Sequence, residues 1–162
     1  MHGCPCGYYG DPGHDCKCTP GQVRKYRARI SGPLLDRIDI HMEVPAVKFR
    51  DLAQDEKAEA SQVIRERVIK ARETQLARFE HEPHLYANAH MDTRDIRRFC
   101  GIAESSKTLL RMAILRLGLS ARAYDRILKS ARTIVDLEGV PDMADAHVAE
   151  AIQYRTLDRQ AG

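Results

Sequence analysis

Apolar positions recur at helical spacing along most of this chain. In SSKTLLRMAILRLG, the residues Leu109, Leu110, Ala113, Ile114 and Leu117 fall three and four apart. That period predicts a buried-face helix, closed by Gly118 as its C-cap. SARAYDRILKSARTIVDLEG repeats the pattern with Tyr124, Ile127, Leu128, Ala131, Ile134 and Val135, opening at Ser120 and ending at Gly139. Asp142 is predicted to cap a last helix that buries Val148, Ala151 and Ile152. Asp92 is the expected N-cap of a short helix, DTRDIRRFC, which follows a loop, HEPHLYANAH. Upstream, the chain reads as helical from about Asp51, with Ala60, Ile64, Val68, Ala71 and Phe79 as the inward stripe.

The first 45 residues differ. Thr19-Pro20 has the form of a helix start, and GQVRKYRARI carries that helix to about Ile30. Ser31-Gly32-Pro33 breaks it, and LLDR has room for one turn. IDIHMEV alternates apolar and polar residues, which predicts a strand with Ile38, Ile40, Met42 and Val44 on one face, ended by Pro45. A lone strand needs backbone partners. Its sheet is therefore expected outside this sequence, with the chain as the C-terminal part of something larger. The fold class expected is mainly α: a helical bundle over 46–162, preceded over 1–45 by a cysteine-rich loop, a helix and one strand.

With 162 residues, 43% hydrophobic and 30% charged, the chain is long enough to bury a core. Its net charge of +3 is mildly basic and by itself says little about nucleic acid. No apolar run approaches the roughly 20 residues of a membrane span, and no signal peptide is evident. The expected setting is cytoplasmic and without a membrane, where clustered thiols bind metal more often than they form disulfides.

Four of the five cysteines are Cys4, Cys6, Cys16 and Cys18. Together they supply a full tetrahedral thiolate set for Zn2+. Gly7, Gly10, Pro12 and Gly13 supply turns that bring the two pairs together, and Lys17 offsets negative charge. His14 is a substitute ligand. The plain alternative is four reduced thiols, or disulfides formed in air. A four-cysteine set closes the coordination sphere, which argues for a structural ion over a catalytic one. Cys100, alone in a helix, reads as a small buried hydrophobe. Arg24, Lys25, Arg27 and Arg29 make a basic helix beside Tyr8, Tyr9 and Tyr26, a combination suited to phosphate contact and base stacking on DNA. The competing reading is a solvated helix with interface ion pairs. Arg94, Arg97 and Arg98 read as a solvated face, and Glu66–Lys70 as a weak surface pair.

SGPLLDRIDIHMEVPAV resembles the arginine-finger region of AAA+ ATPases, in the Mg-chelatase-like branch. CPCGYYGDPGHDCKCTPGQVRKYRARI is similar to the cysteine-bearing segment of its ComM/YifB subgroup. IRERVIKARETQLARF, NAHMDTRDIRRFC and LGLSARAYDRILKSARTIVDLEG are similar, in order, to that family's C-terminal lid. The resemblance implies that residues 1–45 are the end of an AAA+ α/β core and 46–162 the lid. It implies a homo-oligomeric ring, usually of six, with ATP and Mg2+ between neighbours, and helicase and branch-migration work on DNA during natural transformation.

It also assigns two roles. Arg37, in GPLLDRID, matches the arginine finger acting in trans, although the residues alone would pair it with Asp36 or Asp39. Arg122, in LSARAYDR, matches the sensor-2 arginine that binds nucleotide; a cation in a first helical turn opposes the helix dipole and suits an anionic partner. Where the family reads Asn-Pro before the first cysteine, His2-Gly3 stands here, so the sensor-1 position departs from the pattern. The sequence has no G-x-x-x-x-G-K-[ST], and so no phosphate cradle of its own. The chain alone is expected to be without ATPase activity. Two other readings remain: a stand-alone zinc-binding module contacting DNA or protein, and, as a weaker fit, a chelatase subunit.

Overall fold

Thr19 opens the first helix by a reciprocal cap. Its hydroxyl accepts from the Gln22 N–H at 3.3 Å, and the Gln22 side chain accepts from the Thr19 N–H at 2.8 Å. Two orphan donors are thereby satisfied, and Pro20 fits the first turn. The computed structural model describes residues 2–11, 13–42, 44, 47 and 59–155. Helix α1 spans Pro20–Arg27, three residues short of the expected end, and α2 is a single turn, Gly32–Leu35. No strand forms among the described residues. Residues 38–42 lack a ladder, and the face expected to turn inward is exposed, with only His41 of this run buried. Ile40 is 51% and Met42 66% exposed, while His41 is 5% exposed. The cause is one bond to the bundle: the His41 N–H donates to the Tyr154 carbonyl at 2.7 Å. The expected stop at Pro45, the boundary at 46 and residues 51–58 of the expected long helix lie outside the described residues. Residues 59–60 of that expected helix are not helical: Ala60 is an exposed, extended N-cap, and the helix begins at Ser61.

Helix α3 spans Ser61–Arg78, a short 3-10 turn covers Asn88–His90, and α4 spans Thr93–Phe99. Of the stripe expected on α3, Ala71 and Phe79 are buried, but Ile64 and Val68 are 41% and 46% exposed. Residues 59–70 are exposed throughout, so only the C-terminal part of α3 enters the core, and Gln75 is buried there instead. Asp92 caps α4 as expected, accepting from the Arg94 and Asp95 N–H groups at 2.7 and 2.9 Å. Helix α5, Glu104–Leu117, ends at Gly118 with φ 63°, and α6, Ala121–Glu138, ends at Gly139 with φ 77°. These positive φ values suit glycine. Ser120 caps α6, accepting from the Ala123 N–H at 3.2 Å. The last helix, α7, spans Asp145–Gln153 and is not capped by Asp142. Ala144 is the N-cap, and its N–H donates to His147 Nδ1 at 2.9 Å.

Helix α6 is the axis of the bundle. Helices α3, α4, α7 and the 3-10 turn pack on it, and α5 packs on α7. Leu110, Ile127, Val135 and Val148 form the centre of the core, flanked by Phe79, Met91 and Ile96. Cys100 is buried there, as expected, and burial pushes its thiol up to about 11. No described helix is long and apolar enough to cross a membrane.

A polar knot closes the C-terminal end of α6. Asp136, 3% exposed, accepts from Asn88 Nδ2 at 2.8 Å, from Arg78, and from Arg132 at 3.1–3.2 Å. Burial raises its carboxyl, but hydrogen bonds from Arg78 and Asn88 and both guanidinium charges hold it below the usual carboxylate range. A depressed native pKa means the folded chain binds fewer protons than the unfolded chain in acid. The stabilisation is therefore complete above the unfolded value of about 3.9 and lost as pH falls through the native value. Asp136→Ala deprives Arg78 and the buried Arg132 of their carboxylate and is expected to lower unfolding free energy by about 3 kcal/mol. Urea titration at pH 7 measures that loss, and the difference from the parent chain should shrink toward pH 3.

Candidate functional site

The cysteine loop is built from tight turns. The Gly7 N–H donates to the Cys4 carbonyl at 3.2 Å, and the Asp11 N–H donates to the Tyr8 carbonyl at 3.1 Å. Gly7 and Gly10 sit at φ 89° and 80°, where a Cβ would be strained. These turns fold Cys4 and Cys6 back against Cys16 and Cys18, and all four sulfurs lie within 4.8 Å of one another. The Cys4–Cys6, Cys4–Cys16 and Cys6–Cys16 sulfur separations are 3.3, 3.6 and 3.7 Å. A tetrahedral ion with metal–sulfur bonds of about 2.3 Å requires edges of about 3.8 Å. The thiols are not disulfide-linked. This cluster can hold a metal ion, in the geometry the sequence spacing suggested.

His14 is not part of it. Its ring stacks on Tyr8 at 4.7 Å and its Nδ1 meets the Asp11 carboxylate at 3.3 Å. A backbone hydrogen bond from Tyr8, then the Cys4 thiol, lowers the Cys6 pKa to about 6. Against a lowering backbone hydrogen bond from Cys6, desolvation and the neighbouring thiols push Cys18 up to about 12. The cluster thus favours a first thiolate and resists further ones, a resistance that a bound divalent cation removes.

Helix α1 packs beside this loop, and its three cations and Arg29 just beyond it divide. Arg27 serves the loop itself: its Nε donates to the Gly3 carbonyl at 3.1 Å and its guanidinium lies 4.7 Å from the Tyr9 ring centre. Arg29 lies over Tyr26 at 5.6 Å. Arg24 and Lys25 are exposed, with no acidic partner among the described residues. Tyr8 and Tyr9 remain 44% and 51% exposed.

Arg37 follows α2, its N–H donating to the Leu34 carbonyl at 3.0 Å. The two acids expected to compete for it are engaged elsewhere. Asp39 pairs with Arg126, and Asp36 lies 3.8 Å from Arg155. The exposed Arg37 guanidinium has no partner among the described residues. Arg122 is likewise exposed, in the first turn of α6, where no acidic residue occurs. It lies one turn before Arg126 on the same helix face. Arg126 and Arg155 were not singled out by sequence reasoning. Both look like ordinary helical arginines, and nothing in their local pattern marks the turn they contact.

Residues 58–155 match the family described as magnesium chelatase, subunit ChlI C-terminal, and residues 1–52 match magnesium chelatase, subunit ChlI. The competence protein ComM of Haemophilus influenzae is 38% identical over 98% of the chain, as is the protein YifB of Salmonella typhimurium. The Mycobacterium tuberculosis protein Rv2897c is 34% identical over 94% of the chain. The chain spans 30% of the length of ComM and of YifB. On these matches, the chain belongs to the Mg-chelatase-like family, in its ComM/YifB branch.

Proposed function

We propose that this chain is the finger-and-lid portion of a DNA-remodelling AAA+ ATPase, with residues 1–45 closing the core and 46–162 forming the lid. The observation that carries this reading is Arg37, exposed and unpaired among the described residues while Asp36 and Asp39 bind other cations. In a homo-oligomeric ring, six-fold in this reading, that guanidinium reaches the γ-phosphate of ATP·Mg2+ held by the neighbouring subunit. It stabilises charge that develops as the phosphoryl group transfers. Arg122 contacts nucleotide from the lid. The name of the Haemophilus relative, a competence protein, supports a role in competence, and branch migration on DNA is the activity proposed within it. In the complete ATPase, Arg37→Ala is expected to lower kcat at least about 1000-fold and to leave ATP affinity within a few-fold. Near-normal turnover in this variant would refute the finger role.

Zn2+ is the ion proposed for Cys4, Cys6, Cys16 and Cys18, as a structural clip that keeps the loop folded against α1. The purified chain is expected to carry one zinc, released by Cys4→Ser/Cys16→Ser and measured by a colorimetric chelator. Cobalt exchange should give the intense thiolate charge-transfer absorption of a tetrahedral sulfur site. An unchanged metal content in the double variant rules the clip out.

DNA contact is assigned to the exposed cations of α1 beside Tyr8 and Tyr9. The same surface supports the alternative of a zinc-binding interaction module that works without ATP. Arg24→Ala/Lys25→Ala is expected to weaken single-stranded DNA binding across sequences and to reduce the slope of log affinity against log salt by about 2. Fluorescence anisotropy over a salt series checks this, and an unchanged slope removes α1 from the DNA path.

A further inference from the structure

We infer that Arg155 is a positioning residue for Arg37, acting through the backbone of the finger turn. This rests on the arginine-finger reading above and adds the part that aims it. Arg155 follows α7 and is fully buried, at 0% exposure. Its guanidinium donates to the Ile38 carbonyl and, at 3.5 Å, to the Leu35 carbonyl, and it lies 3.8 Å from the Asp36 carboxylate. These groups flank Arg37 on both sides.

A buried guanidinium is costly unless its donors are matched. Two of the Arg155 hydrogen bonds reach one turn, 117 and 120 residues away along the chain. The Leu35 carbonyl at the end of α2 accepts the Ile38 N–H at 3.0 Å and the Arg155 guanidinium as a second donor, while the Ile38 carbonyl accepts from Arg155 as well. Two further bonds tie the same segment to the bundle. Tyr154 accepts the His41 N–H at 2.7 Å, and Arg126 on α6 pairs with Asp39.

The bundle therefore grips positions 35, 36, 38, 39 and 41, while the Arg37 side chain stays exposed. An arginine has many rotamers, and its catalytic value depends on where its backbone starts. A misplacement of about 1 Å can cost about 100-fold in rate. Arg155 holds the starting point, and Asp39–Arg126 holds the far side.

Two readouts test this. Hydrogen exchange on the chain comes first. Arg155→Met is expected to speed exchange at the Arg37 and Ile38 amides at least tenfold while α6 keeps its protection. Turnover of the complete ATPase comes second. Arg155→Met and Asp39→Asn are each expected to lower kcat between about 10- and 100-fold, with KM unchanged. In an Arg37→Ala background neither should lower kcat further, because the group they aim is gone. A merely structural role predicts the same loss in both backgrounds and would overturn the inference, as would native kcat in the folded variants. Should Arg155→Met fail to fold, Asp39→Asn decides, since that pair is solvent-accessible. A slow Arg37→Ala with normal Arg155→Met and Asp39→Asn overturns the positioning role alone. Normal turnover in Arg37→Ala overturns the finger reading, and the positioning role with it.

Discussion

Asp136 accepts hydrogen bonds from Arg78 on α3, Asn88 in the 3-10 turn and Arg132 on its own helix. Arg132 also donates to the Pro141 carbonyl at 2.9 Å. One carboxylate thus joins four parts of the chain at the end of α6. Burying so many polar groups is tolerable because each meets a partner of opposite character. Removing the acid leaves the largely buried Arg78 and Arg132 guanidiniums with only the neutral acceptors Asn88 Oδ1 and the Pro141 carbonyl. Through Arg78 and Asn88 the carboxylate ties α6 to α3 and to the 3-10 turn, and toward its other end α6 carries Arg126, which meets Asp39.

That opposite end is chemically different. Arg122 and Arg126 occupy successive turns of one face, and their fates diverge because, among the described residues, Arg126 meets an acid, Asp39, and Arg122 does not. The Asp39–Arg126 pair is partly solvent-exposed, and exposed pairs contribute little stability. Its importance is directional: it draws the segment after Arg37 toward the bundle. Arg155, with no exposure to soften its interactions, draws from the other side. The cysteine loop is a separate local unit, held to α1 by Arg27 through the Gly3 carbonyl and the Tyr9 ring.

Legibility varied with the range of the interaction concerned. The caps at Thr19, Asp92 and Ser120 and the glycine stops at Gly118 and Gly139 were readable, because each is a bond between residues a few positions apart. Asp142 failed by the same logic: other residues also cap, and Ala144 does so with help from His147. The stripe on α3 was half wrong. Periodicity identifies an apolar face but not how far along the helix the core extends, and Ile64 and Val68 lie beyond it. The alternation at 38–42 was real, yet no ladder forms there, and His41, bonded to the Tyr154 carbonyl, is the buried residue of the run while Asp39 stays exposed.

The sequence by itself determined the helix-forming segments, most of their ends, and the four-cysteine ligand set, since all of these follow from neighbours in the chain. It carried the family motifs too, including the arginine after GPLLD. What it left undecided was which charge meets which. Asp36 and Asp39 stand beside Arg37, and by proximity alone they would have taken it. Only the packing of α6 and α7 beside that turn brings Arg126 and Arg155 close enough to engage them. Coulomb energy depends on distance and burial, and both are properties of the folded arrangement.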